Sequence, residues 1–294
     1  MTVQTNQQPR QSSTTRISWF SKDFLGLGLG FWLSFFWVTT ILALALSTFF
    51  FEWASPLKQN YSAIAAAPSA DYLLGTDHLG RDLLSRVIHG ARVSFSVAFT
   101  SPFIGMSIGL ILGMSAGYFG SWLDSAVGVL IDSILAFPNI VLAIAVLFFA
   151  GANLPNMIAV IAFYTIPNFT RIARANTLLY TEREFVIAAR AQGASHLRIL
   201  LRELLPNVFI PVAAFSLLIM SYTIVLEGTL SFLGVGLPPP TPTWGRMIAE
   251  GLDELAENPQ IAFLPSAFMF LTILSLNMMG DRLRQLTDIK SGNA

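Results

Sequence analysis

The 294-residue chain contains no cysteine, which excludes disulfides, thiol catalysis and Cys-ligated metal sites. Charge is scarce as well. Asp, Glu, Lys and Arg supply 12% of the residues, about half the share found in an ordinary soluble domain. Seventeen cations balance 17 anions, so no net field favours a nucleic-acid partner. The sequence has no Gly-Lys-Ser/Thr phosphate loop, and ATP hydrolysis is therefore expected on a separate chain. Three histidines, at 78, 89 and 196, read as loop residues without metal-ligand spacing, so no metal site is expected. No residue is assigned a catalytic or cofactor-binding role.

What the chain has in excess is apolar surface, at 54% of residues. A soluble core of this size could not absorb it without exposing large patches, and the bilayer is the better solvent. Residues 1–22 form a polar tail whose only charges are Arg10, Arg16 and Lys22. The apolar stretch from Phe24 to Phe51 is too long for a signal peptide and ends without a small-residue cleavage site, so it reads as a retained first span.

A helix crosses the hydrocarbon in about 20 residues, and six segments fit: 26–51, 93–117, 126–150, 156–173, 207–229 and 262–280. With the N-terminus in the cytoplasm, the inner pieces hold twelve cations: Arg10, Arg16, Lys22, Arg171, Arg174, Arg183, Arg190, Arg198, Arg202, Arg282, Arg284 and Lys290. The outer pieces hold five: Lys58, Arg81, Arg86, Arg92 and Arg246. That asymmetry follows the positive-inside rule and places both termini in the cytoplasm. The expected fold class is an all-α polytopic membrane protein with six transmembrane helices. Its expected organisation is a cytoplasmic tail over 1–23, a first span with an outer loop over 24–92, a transmembrane domain over 93–285 and a cytoplasmic tail over 286–294.

The second span repeats glycine every four residues, at Gly105, Gly109, Gly113 and Gly117, a flat stripe that lets another backbone approach closely. Prolines at 102, 138, 167, 206 and 211 permit kinks. Between spans four and five, from Arg174 to Pro206, two short helices with a break are expected. A capping box of Thr181 with Glu184 starts the first, Gly193 supplies the turn, and residues 197–205 lead into Pro206. By periodicity alone this loop is equally well an amphipathic segment lying on headgroups.

The run Phe185-Val186-Ile187-Ala188-Ala189-Arg190-Ala191-Gln192-Gly193-Ala194-Ser195, with Leu205-Pro206 downstream, resembles the signature loop of bacterial ABC importer permeases. That pattern is Glu-Ala-Ala, three residues, Gly, and later Leu-Pro, and the one departure is Ile187 at the Glu position. Three further motifs resemble the dipeptide/oligopeptide/nickel branch, in its C-type subunit. They are Gly75-Thr76-Asp77-His78-Leu79-Gly80-Arg81-Asp82, Leu230-Ser231-Phe232-Leu233-Gly234 with Pro242-Thr243-Trp244-Gly245, and Asn277-Met278-Met279-Gly280-Asp281-Arg282. The resemblance covers about residues 70–285 and implies a type I ABC importer permease fold in the bacterial inner membrane. It further implies a homologous permease partner, two ATP-binding cassette ATPases carrying ATP and Mg, and an extracytoplasmic substrate-binding protein. Peptide cargo is expected, with nickel or another small solute as the alternative. The coupling helix implied for ATPase docking comprises Glu184, Phe185, Ala188, Ala189, Gly193, Ala194, Ser195 and Arg198.

Asp77, Arg81, Asp82 and Glu227 are candidates for the translocation path or an outer gate. Glu227 fits either a path-lining role or one pinning the outer loop. Asp124 and Asp132 are expected to find partners at an interface. As paired carboxylates of an enzyme they lie about 12 Å apart along one helix, too far for a shared proton. The remaining rival is an ATP-independent channel or carrier.

Overall fold

The computed structural model describes residues 27–51 and 53–292, so the tail over 1–23 lies outside the described residues. Among those described there is no strand, only an isolated bridge between Thr76 and Asp82. The helices are α1 (Leu29–Ser47), α2 (Leu83–Phe119), α3 (Ser121–Leu135), α4 (Asn139–Ala150), α5 (Leu154–Thr181), α6 (Glu184–Ala191), α7 (His196–Arg198), α8 (Leu205–Phe232), α9 (Trp244–Leu252) and α10 (Gln260–Gly292). A π-helical segment, Ile199–Leu204, joins α7 to α8 without a break, and α10 is continuous across residue 285.

Local chemistry sets the helix starts. Asp82 caps α2 by accepting the Ser85 N–H at 3.1 Å, Asn153 caps α5 through the Asn156 N–H at 2.9 Å, and Thr243 caps α9 through the Arg246 N–H at 3.2 Å. Each satisfies an amide that the first helical turn leaves orphaned.

Among the described residues four stretches are each long and apolar enough to cross a bilayer alone: 29–47, 83–119, 196–232 and 260–286. The expected single span over 126–150 is corrected. It is two helices, α3 and α4, bent by 76° about Ala136–Pro138. Pro138 lacks an N–H to continue α3 and pushes Phe137 out of the helical region. Pro102, Pro167 and Pro211 stay inside continuous helices, so of these prolines Pro138 is the one at a break. Counting the bent pair as one gives five candidate spans. A sixth requires α5, whose 28 residues extend about 42 Å but carry Asn156, Asn168, Arg171, Arg174 and Asn176. The segment expected at 156–173 is thus the middle of a longer and more polar helix.

α2 and α5 form the most intimate pair. The glycine stripe of α2 lies on α5: Gly105 faces Thr165, Gly109 faces Phe169, Gly113 faces Thr170 and Gly117 faces Thr177. A Cβ on Gly109 would sit 2.6 Å from the Phe169 Cβ, and one on Gly117 2.9 Å from the Thr177 Cβ. Both are closer than carbon atoms approach without displacement, so the spacing is set by the absence of side chains. α1 packs along α10, where the Trp37 indole N–H donates to Thr272 Oγ1 at 3.1 Å.

Candidate functional site

Two sites stand at opposite ends of the α2–α5–α8 bundle. The first is the α6 ledge. The expected Thr181–Glu184 capping box does not form: Thr181 Oγ1 donates to the Thr177 carbonyl at 2.7 Å, and Arg183 occupies the N-cap of α6 without a side-chain hydrogen bond. α5 continues to Thr181, so Arg171 and Arg174 are helical residues rather than loop cations.

Gly193 ends α6 at φ +78°, a left-handed conformation that costs most residues about 1–2 kcal/mol. The Ala194 N–H reaches the Ala189 carbonyl at 3.0 Å and the Gly193 N–H the Arg190 carbonyl at 2.9 Å, which is the Schellman termination. Ser195 Oγ then accepts the Arg198 N–H at 3.4 Å and turns the chain into α7.

The eight residues assigned to coupling form one contiguous surface. Glu184, Phe185, Ala188, Gly193, Ser195 and Arg198 are exposed, with Ala189 and Ala194 half-buried. Exposed Ile187 and Leu197 extend its apolar part, and Arg183, Arg190, Arg198 and Arg202 surround it. The ledge is anchored by Val186, Ile199 and Leu204, all fully buried among Leu110 and Met114 of α2, Phe169 and Ala173 of α5 and Val208 of α8. A polar tie adds to this. Tyr118, near the end of α2, shares a 2.8 Å hydrogen bond with His196 Nδ1, and the Arg190 guanidinium lies 5.1 Å from the Tyr118 ring. The sequence reading missed both Tyr118 and His196. An aromatic side chain at the end of a span was the one available signal.

The second site is the Gly-Thr-Asp loop at the other end of the bundle. Gly75 and Gly80 have φ of +79° and +69°, and a Cβ on either would collide with the carbonyl of Ala66 or Asn60. The tight turn brings the Asp77 carboxylate onto the N–H groups of Leu79 and Arg81, both at 2.9 Å. Arg81 Nε donates to Asp77 at 2.6 Å and its Nη2 to Glu250 at 3.0 Å. Arg86, with 1% of its side chain exposed, binds Glu250 at 2.8 Å and Asp77 at 3.3 Å. Arg246 closes the cluster on Glu250 at 2.8 Å. Asp77 and Arg81 are therefore together, Asp82 stands beside them as the α2 cap, and Glu250 of α9 is the hub.

Glu250 is not among the gate candidates of the sequence; its i, i+4 spacing from Arg246 is the one local hint. His78 lies near Asp77 and Glu250, their ligand atoms all within 4.8 Å of one another. Both carboxylates are already committed to arginines, whose positive charge opposes a cation there.

Glu227 is not part of that cluster. It sits in α8, 1% exposed, accepting Ser94 Oγ of α2 at 3.0 Å and Ser231 Oγ at 2.7 Å. One residue on, Gly228 meets Gly245 of α9 so closely that a Cβ on Gly245 would collide with it. Trp244, wholly buried, donates its indole N–H to the Val87 carbonyl at 3.0 Å. Here Glu227 joins α8 to α2 where α9 packs and lines no exposed surface.

Asp124 and Asp132 also take partners within the chain, both on α5. Arg174 holds Asp124 through two bonds, one of them 2.6 Å from Nη2, and Arg171 holds Asp132 at 2.7 Å. The first pair is partly sheltered, whereas the second is more than half exposed on both sides. Separate arginine partners leave no carboxylate dyad, which removes the basis of the enzyme reading.

Together these features define an all-helical, multi-pass membrane protein with a ledge standing off one end of its bundle and a buried charge cluster at the other. Residues 109–290 match the family described as binding-protein-dependent transport system inner membrane component, and the chain belongs to that family. It is 37% identical over 254 residues to the glutathione transport system permease protein GsiD of Escherichia coli O6:K15:H31, covering 85% of this chain and 84% of the relative. The GsiD of Pectobacterium atrosepticum is 37% identical over 231 residues, covering 79% and 77%. Among solved structures, an inward-facing MetNI methionine ABC transporter chain superposes with a TM-score of 0.57 at 18% identity, over 69% of this chain and 96% of that one. The fold is that of an importer permease, and the chain is a transport subunit.

Proposed function

We propose that this chain is one half of a heterodimeric pore that imports short peptides, glutathione-like tripeptides included, across the bacterial inner membrane. The observation that carries the reading is the α6 ledge. It is an exposed apolar-and-basic surface held on a glycine turn, and its buried anchors reach three long helices at once. An ATPase docked there would move α2, α5 and α8 through Val186, Ile199, Leu204 and the Tyr118–His196 bond, in the manner of rigid-body alternating access. Two ATP-binding cassette ATPases carrying ATP and Mg, and a binding protein on the other side, complete the transporter. The α6 ledge and both termini then face the cytoplasm, and α5 crosses as one of six spans.

Cargo class follows from the relatives, whose names specify glutathione transport. Nothing in the outer cluster favours nickel, because its acids are taken by arginines. The path itself is assigned to the face that exposes the Asp132–Arg171 pair and the Asn139–Tyr222 hydrogen bond at the α3–α4 break. Exposed polar pairs at membrane depth turn away from lipid. The partner permease covers this face and part of the exposed apolar surface of α3 and α4, where Trp122, Phe148 and Phe149 stand at least three-quarters exposed.

Uptake of labelled dipeptide, glutathione and Ni2+ into proteoliposomes holding the complete transporter tests this. Peptide or glutathione uptake requiring both ATP and binding protein is expected. Uptake that persists without ATP would establish a channel or carrier instead, and uptake of Ni2+ alone would establish the metal reading.

A further inference from the structure

The geometry points to a site for one anionic phospholipid in the seam between α1 and α2, with its phosphate on Arg92 and one acyl chain lying below. Two adjoining cavities build it. The lower, 280 Å³, is walled by Leu42, Ala45, Leu46 and Phe49 of the α1 end and by Phe95 and Phe99 of α2. The first four fall at i, i+3, i+4, i+7 spacing, and Phe95 and Phe99 stack at i, i+4 with Arg92 and Ser96 beside them, so an apolar wall faces one that is apolar below and cationic at Arg92. The upper, 450 Å³, is mixed in character, with Thr48, Trp53, Ser55 and His89 among its lining. Phe49 belongs to both, and Arg92 stands at the seam with its guanidinium 3.7 Å from the centre of the Phe49 ring.

Arg92 is the helical cation at this end that lacks a carboxylate partner among the described residues. Arg81, Arg86 and Arg246 on the same side are each bound to a carboxylate. Among the described residues the Arg92 side chain makes no hydrogen bond or ion pair, only the ring contact. Its five N–H donors match a phosphodiester in bidentate geometry, and the ring beneath orients the fork. The height is right for a headgroup. α1 ends at Ser47, Phe50 and Phe51 are 82% and 71% exposed just beyond it, and the Trp53 indole donates to Ser47 Oγ at 2.9 Å. That is the aromatic band of a membrane boundary.

An acyl chain gains little on leaving bulk lipid for a groove of like polarity. The headgroup charge must therefore supply the selectivity, and the chain serves to hold that headgroup in the membrane at the height of Arg92. A free phosphate has the charge without the chain.

Native mass spectrometry of the intact transporter, released from phosphatidylcholine nanodiscs doped with phosphatidylglycerol, reads this directly. The expected result is one phosphatidylglycerol held per chain, with about tenfold preference over phosphatidylcholine, or about 1.4 kcal/mol. Arg92→Gln should erase the preference, Arg92→Lys should keep part of it, and Ala45→Trp should fill the groove and remove bound lipid of either kind. Thermal melting of each variant confirms that it remains folded. Equal retention of phosphatidylglycerol by wild type and folded Arg92→Gln would overturn the proposal, as would a wild type without preference. Release of the lipid by excess inorganic phosphate would assign the site to free anions and overturn it too.

Discussion

Gly193→Asp leaves the protein inserted and folded but lowers ATP-driven uptake by at least about tenfold, the loss expected when a charge is introduced into a docking interface at a cost of a few kcal/mol. Two separate observations set this expectation. The native φ of +78° adds about 1–2 kcal/mol of backbone strain for a side chain in the left-handed region, which a 294-residue chain tolerates. Space is not limiting, because no atom of the chain lies within 4 Å of where the Cβ would stand. A side chain here therefore does not crowd the turn itself, and the crowding falls on whatever docks. A carboxylate at the tip also opposes the charge set by Arg190 and Arg198. Gly193→Ala carries the strain without the charge and should lose far less. Ile187, 55% exposed, has room for a carboxylate, so Ile187→Glu should be tolerated. Uptake and ATPase rates measured together separate uncoupling from misfolding. Normal transport with normal ATP coupling in Gly193→Asp would mean that α6 is not where the ATPase acts.

Glu250→Ala should destabilise the chain by about 3 kcal/mol, the lower end of what breaking a buried ion pair costs. Among the described residues Glu250 alone bridges Arg81, Arg86 and Arg246. Its own side chain remains 20% exposed, which tempers the loss, but Arg86 at 1% cannot reach water without moving. Arg86 already keeps Nη1 buried without a partner, so removing Glu250 leaves Asp77 alone to hold two guanidiniums. Glu250→Gln retains an acceptor oxygen and should lose less. Thermal unfolding in detergent measures both. An unchanged melting temperature in Glu250→Ala would show that the cluster does not fasten the outer loop to α9.

Membrane residence, the helical class and the close-packed stripe at Gly105–Gly117 were readable because each depends on composition or on spacing within one helix. The partner of that stripe was not, since nothing in the spacing names α5. The 76° break followed the same logic: hydropathy over 126–150 is continuous, and a proline permits a bend without dictating one. Asp124 and Asp132 found α5 arginines that had been counted as loop cations, because the end of α5 was placed eight residues early, at 173 rather than Thr181. Thr181 spends its hydroxyl on its own helix, so the capping pattern with Glu184 was present in sequence and unused in space. Three of the residues read as gate candidates, Asp77, Arg81 and Asp82, converge on one place. The hub that gathers Asp77 and Arg81 is Glu250, some 170 residues away in the chain (169 from Arg81), and no local pattern could supply that.

The absence of cysteine makes the central claim directly testable. A single cysteine placed at exposed Ala188 on α6, and a second variant with one at exposed Ser62 in the loop at the far end of the bundle, can each be treated with a short thiol-to-amine cross-linker in the assembled transporter. The account predicts an adduct between this chain and the ATPase from Ala188→Cys and none from Ser62→Cys. An assembled, ATP-hydrolysing transporter in which Ala188→Cys labels freely with a small thiol reagent, yet forms no adduct with the ATPase, would contradict it.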